Sequence, residues 1–91
     1  MSEFKYRDRA SIVVDILDTI RSEPKGETKT GIMRGANLNF EQANRYLELL
    51  VLRGFIREVD PLGSQELGRY KTTKEGLELV SILERKLVSL R

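Results

Sequence analysis

Between Asn39 and Gly54 the chain carries a helix whose two ends are specified by its own residues. Asn39 is a strong N-cap, and Gln42 three positions on completes a capping box, in which each side chain serves the other residue's backbone N–H. Gly54 stands where a glycine just past a helix end accepts the left-handed conformation. Between them Phe40, Ala43, Leu47, Leu50 and Val51 form an apolar stripe at helical spacing, predicted to be buried. The segment after Gly54 narrows the fold further. Phe55-Ile56-Arg57-Glu58-Val59 has the β-branched and aromatic content of a strand, Asp60-Pro61-Leu62-Gly63-Ser64 has turn chemistry, and Arg69-Tyr70-Lys71-Thr72 returns as a second strand. The connection from Asp60 to Gly68 is long for a tight hairpin and is expected to project.

The rest of the chain is helical in pattern. From about Asp8 to Ser22, Ile12, Val13, Ile16, Leu17 and Ile20 share one side of a helix, with Asp15, Asp18, Thr19 and Ser22 opposite; Pro24 and Gly26 break it. A short second helix fits Lys29 to Arg34, with Thr28 as N-cap. Gly35-Ala36-Asn37-Leu38 reads as a tight turn, since Gly and Asn tolerate positive φ, with Leu38 plugging the core beneath it. The last helix begins at about Lys74, capped by Thr73 or by Thr72 with Glu75, and runs to the C-terminus. Its residues Leu77, Leu79, Val80, Ile82, Leu83, Leu87, Val88 and Leu90 cover well over half the circumference, more than a surface helix of a small monomer needs. Val80, Leu83, Leu87 and Leu90 repeat at 3-4-3 spacing, the rhythm of a helix pair. The order is that of a mainly α (α+β) winged helix-turn-helix, with a two-stranded wing and a C-terminal dimerisation helix. Residues 1–91 form a single domain: first helix 8–22, helix-turn-helix 28–54, wing 55–72 and dimer helix 73–91.

Composition sets limits on function. Ninety-one residues at 40% hydrophobic sustain one small core, and domains of that size often gain stability by pairing. The net charge of +2 is modest for a nucleic-acid binder. With neither His nor Cys, there is no disulfide framework, thiolate metal site or histidine base. No Gly-rich phosphate loop appears, and Asp15 and Asp18 read as a solvated face. An enzyme is therefore not expected, nor a cofactor. No apolar run approaches the ~20 residues of a membrane span, and Met1-Ser2-Glu3-Phe4-Lys5 lacks the apolar centre of a signal peptide. The expected setting is cytoplasmic and nucleoid-associated.

Four segments resemble a known family: Thr30-Gly31-Ile32-Met33-Arg34-Gly35-Ala36-Asn37-Leu38-Asn39-Phe40, Arg45-Tyr46-Leu47-Glu48-Leu49-Leu50, Gly54-Phe55-Ile56 and Tyr70-Lys71-Thr72-Thr73-Lys74-Glu75-Gly76. The family is the archaeal winged-helix proteins of the crenarchaeal 10a type, small chromatin-associated or regulatory DNA-binding proteins. The resemblance covers nearly the whole chain from Ala10, and Ile32 to Leu38 is its specific part. It implies a homodimer joined through antiparallel C-terminal helices, with the recognition helices facing outward. Here the last helix has about 18 residues, or about 27 Å. That is shorter than in those proteins and implies a compact helix pair.

On this reading the exposed side of the third helix reads DNA. Asn39, Gln42 and Asn44 carry carboxamides suited to adenine, and Arg45 suits guanine. Lys29 and Arg34 on the second helix, with Lys25 before it, are candidates for phosphate. So are Arg69 and Lys71 on the second wing strand, together with Arg57. The alternatives are a solvated helix face, to which Glu41 and Glu48 belong, and cross-strand pairing with Glu58 or Glu66. The wing tip has no cation to offer the minor groove. Phe4 and Tyr6, alternating with Lys5 and Arg7, form either a short edge strand or a basic arm, and the run Lys5, Arg7 and Arg9 is either an arm on DNA or a solvated N-terminus tied down by Phe4 and Tyr6. Leu79, Val80, Leu83, Leu87 and Leu90 are the expected dimer interface. The function expected is double-stranded DNA binding, sequence-selective or general, by a homodimeric transcription regulator. The other readings are a chromatin-type coat and a protein–protein assembly module that binds no DNA.

Overall fold

A computed structural model describes residues 8–59 and 68–89, the side chains through Lys86. The expectations for residues 4–7, the wing tip, the Leu87 side chain and Leu90 lie outside them. The element order is α1 (Arg9–Arg21), β1 (Glu27–Thr28), α2 (Lys29–Ala36), α3 (Phe40–Leu52), β2 (Ile56–Val59), β3 (Arg69–Thr72) and α4 (Lys74–Ser89).

Each helix starts on a side-chain cap. Asp8 accepts from the Ser11 amide at 2.9 Å, Thr28 from Gly31 at 3.1 Å and Thr73 from Gly76 at 3.0 Å. At the head of α3 the box is complete: the Gln42 amide donates to Asn39 Oδ1 at 2.8 Å and the Asn39 amide to Gln42 Oε1 at 3.0 Å. α2 runs two residues past its expected end, so Gly35 is helical and not part of the turn. Its role is close approach: a Cβ there would press into the Thr19 side chain of α1. Asn37 makes the turn, at φ 57°, and Leu38 is buried behind it.

α1 packs against α2, α4 and β3. That explains why Val14 is buried as well as the expected Ile12, Ile16, Leu17 and Ile20, while Val13 is only partly covered. Ile32, Ala36, Ala43, Leu47, Leu50, Ile56 and Val80 complete the core. Two residues expected in the buried stripe of α3 are exposed. Phe40 is 58% exposed, because the first turn of α3 overhangs the core, and Val51 lies on the flank of the last turn.

The sheet has three antiparallel strands in the order β1-β3-β2, one more than the two-stranded wing expected. β1 pairs Glu27 with Tyr70 and Thr28 with Arg69, and two residues are too few to show alternation in a sequence. β2 and β3 pair Ile56 with Thr72, Arg57 with Lys71, Glu58 with Tyr70 and Val59 with Arg69.

Thr73 joins the hairpin to α4 and α4 to α3. Its hydroxyl donates to the Gly54 carbonyl at 2.7 Å while accepting from Gly76, and its amide donates to the Phe55 carbonyl at 3.1 Å. Gly76 sits against that same carbonyl, where a Cβ would collide with it. Along α4, Val80 is 1% exposed in the single chain, so its side chain belongs to the core and has no area left for a partner. Leu79 and Leu83 lie partly buried at the core's edge, whereas Leu77 and Ile82 are 44% and 42% exposed.

Candidate nucleic-acid interface

The turn at Asn37 brings the first residue of α2 close to the first two turns of α3. Lys29 Nζ donates to Asn44 Oδ1 at 2.6 Å and lies 5.0 Å from the centroid of the Phe40 ring. A lysine ammonium has only donors, so the carboxamide oxygen must face it, and the Asn44 NH₂ is turned the other way. Phe40 and Asn44 are four residues apart and share a side of α3. Next to them a shallow cleft runs between α3 and the sheet, lined in part by Lys29, Asn44, Val51, Leu52, Glu58 and Tyr70. Burial pushes the Tyr70 hydroxyl above the ordinary tyrosine range, and the Glu58 carboxylate, through its charge and a hydrogen bond, pushes it further.

The outermost residues of α3 are Glu41, Arg45, Glu48 and Leu52, all exposed. Arg45 forms no ion pair among the described residues, with either glutamate or any other carboxylate, so its guanidinium fork is available. It borders a second shallow cleft with Arg9, Tyr46, Glu48, Leu49 and Leu52. Asn39 and Gln42 are committed differently than expected. Both carboxamide oxygens accept a backbone N–H in the capping box, which fixes their orientation and leaves the NH₂ donors as the freer end of each side chain. Two-pronged recognition of adenine needs the oxygen as well.

The wing-strand cations do not join this surface. Successive strand residues face opposite sides: Ile56, Glu58, Tyr70 and Thr72 share the side that carries Ile56 into the core, and Arg57, Arg69 and Lys71 share the other. The stems of Arg69 and Lys71 lie beside Gly26, and Arg69 Nη1 donates to the Gly26 carbonyl at 3.0 Å. Arg69 thus ties the lead-in of β1 to β3. Glu58 and the three cations lie on opposite sides of the sheet, which removes cross-strand pairing with Glu58 as their explanation. Arg34 is exposed in the last turn of α2.

A winged helix-turn-helix family model matches residues 6–88, almost the whole chain. The chain belongs to that family. In this winged helix α3 holds the recognition-helix position and the β2–β3 hairpin the wing. Among solved structures it is similar to Sso10a-2, a DNA-binding protein from Sulfolobus solfataricus, with a TM-score of 0.75 and 24% identity over 89% of this chain and 79% of that one. It is also similar to the PcaV transcriptional regulator from Streptomyces coelicolor, with a TM-score of 0.77 and 19% identity over 87% of this chain and 57% of that one. ZitR from Lactococcus lactis, solved in complex with DNA, gives a TM-score of 0.64 and 11% identity over 99% of this chain and 62% of that one. The winged helix thus spans little more than half of the two bacterial proteins. No curated protein sequence matches it. The fold agrees with the resemblance to the 10a type read from the residues.

Of the candidates read from the sequence, Lys29 and Asn44 are brought into contact, Asn39 and Gln42 cap α3, Arg45 stands open, and Arg69 and Lys71 lie across the sheet. Sequence reasoning misses Phe40, Glu58 and Tyr70 as surface residues. For Phe40 the helical spacing points the other way, to the buried stripe. For Glu58 and Tyr70 there is no signal beyond strand alternation.

Proposed function

We propose that this winged helix binds double-stranded DNA as a homodimeric transcription regulator, with the exposed side of α3 in the major groove. The observation that carries the reading is the cluster at the head of α3. Lys29, Asn44 and the open Arg45 offer donors close together, on the part of the helix that in helix-turn-helix proteins meets base edges. Family membership and the described roles of Sso10a-2, PcaV and ZitR support it. Lys29 and Arg34 supply the phosphate contacts. The modest net charge of +2 favours a regulator over a coat, because non-specific affinity comes mainly from phosphate neutralisation. The reading involves no catalytic step and no cofactor, and its setting is the nucleoid.

The dimer contact we assign to α4. With Val80 inside the core, the seam moves to the adjacent arc of Leu79, Ile82 and Leu83, continuing toward Leu87 and Leu90. A second reading, an assembly module without DNA, is favoured by the carboxylates of Glu41 and Glu48 and by Leu52, which is 79% exposed on the same side. Titration of random-sequence duplex at low and moderate salt separates the two. Binding that weakens with salt supports the DNA reading. No binding to any duplex at low salt overturns it and leaves assembly.

A further inference from the structure

We propose that Phe40 and Asn44 together read a thymine, and that Lys29 sets the orientation that makes them do so. This deepens the DNA reading and rests on it. Asn44 has only part of its carboxamide left to offer. Its oxygen accepts from Lys29 Nζ at 2.6 Å, which turns it toward Lys29 and occupies one of its two lone pairs, so the NH₂ donors are the freer end to offer DNA. A donor in the major groove pairs with an acceptor, which guanine provides at O6 and N7, adenine at N7 and thymine at O4. Two-pronged reading of adenine, the usual pairing of asparagine, also calls for the carboxamide oxygen and so competes with Lys29.

The choice among these bases falls to Phe40. Its ring is 58% exposed although its residue type favours burial. The Lys29 ammonium lies 5.0 Å from its centroid and gives the exposed ring an attractive partner. Thymine carries its C5-methyl next to O4, and an apolar side chain beside a donor matches that pair of features. Guanine and adenine have no methyl for the ring to meet. Phe40 and Asn44, one helical turn apart on the same side of α3, present the ring and the donor side by side. Lys29 is a positioning residue here: it holds the carboxamide and uses one of its three N–H groups to do so.

The test selects duplexes from a random pool with the wild-type protein at low salt, then exchanges single bases in the preferred site. The expected result is a T·A pair enriched at one position of each half-site. Exchanging that thymine for uracil, which removes only the methyl, should weaken binding about threefold to fivefold. Phe40→Ala should bind the thymine and uracil sites alike. Lys29→Met keeps an unbranched stem but frees the Asn44 oxygen, and the preference at that position should move from thymine to adenine. A protein whose Lys29 merely touches phosphate would lose affinity evenly on all sequences and keep its preference, which would overturn the assignment. So would enrichment without thymine, or wild-type indifference to uracil. Any of these results leaves duplex binding itself intact, whereas no duplex bound at low salt would overturn both readings.

Discussion

Two cations on this chain look alike in sequence and differ in what they face. Arg45 stands open between Glu41 and Glu48 on α3, whereas Lys71 lies on the side of the sheet away from Tyr70 and Glu58. Arg45→Ala is expected to cost ~1–3 kcal/mol on the preferred duplex and to relax selectivity at one base pair. Lys71→Ala should leave the slope of affinity against salt unchanged, since no phosphate contact is lost with it. Titrations of both variants over a salt range check this. Individual caps such as Asn39, Thr28 and Gly54 are legible in the sequence, because capping acts over three or four neighbouring residues. The exposure of Phe40 is not, because periodicity assigns a residue to a side of a helix without saying whether another element covers its first turn. The contact from Lys29 to Asn44 spans 15 positions, and no local pattern encodes it.

Among the elements, the helices and the wing strands are legible to within a residue or two, and β1 is not. Its two residues are a strand only because Glu27 and Thr28 lie along β3, a tertiary fact. Local sequence does not choose between Thr72 and Thr73 as the cap of α4. The choice is settled by Thr73 having two tasks, as cap and as donor to Gly54. Thr73→Ala is expected to cost about 1–2 kcal/mol of stability in a denaturant titration, within the range for a lost N-cap. Tyr70 makes a pH prediction. Its folded pKa is raised by burial and by Glu58, so the folded state holds that proton more tightly than the unfolded chain. The resulting stability is present below the unfolded tyrosine value of roughly 10 and is lost as pH rises through the folded value. Thermal unfolding of wild type should therefore show an alkaline loss above about pH 10 that is smaller in Tyr70→Phe.

For the whole molecule the questions are how many copies act together and how strongly charge holds them to DNA. Ile82 is exposed, so Ile82→Glu should leave the subunit folded and shift it from dimer to monomer in light scattering. Val80→Glu would bury a charge and unfold the chain, and so reports on the core alone. Setting aside Arg69, held by Gly26, and Lys71, across the sheet, leaves Lys29 and Arg34 in each subunit for phosphate. Two cations in each of two subunits give a slope of log affinity against log salt of about −4, where adding Arg69 and Lys71 would give about −7. A titration between low and physiological salt distinguishes these values.

The Thr73 junction has a mechanical meaning. One hydroxyl bonded to Gly54 at 2.7 Å and to Gly76 at 3.0 Å, with a side-chain-free Gly76 pressed to the Phe55 carbonyl, couples the end of α3 directly to the start of α4. In a pair joined along α4, a turn of α4 would reach α3 through this junction. On the proposed dimer, the spacing of the two α3 helices would then follow the packing of the α4 pair.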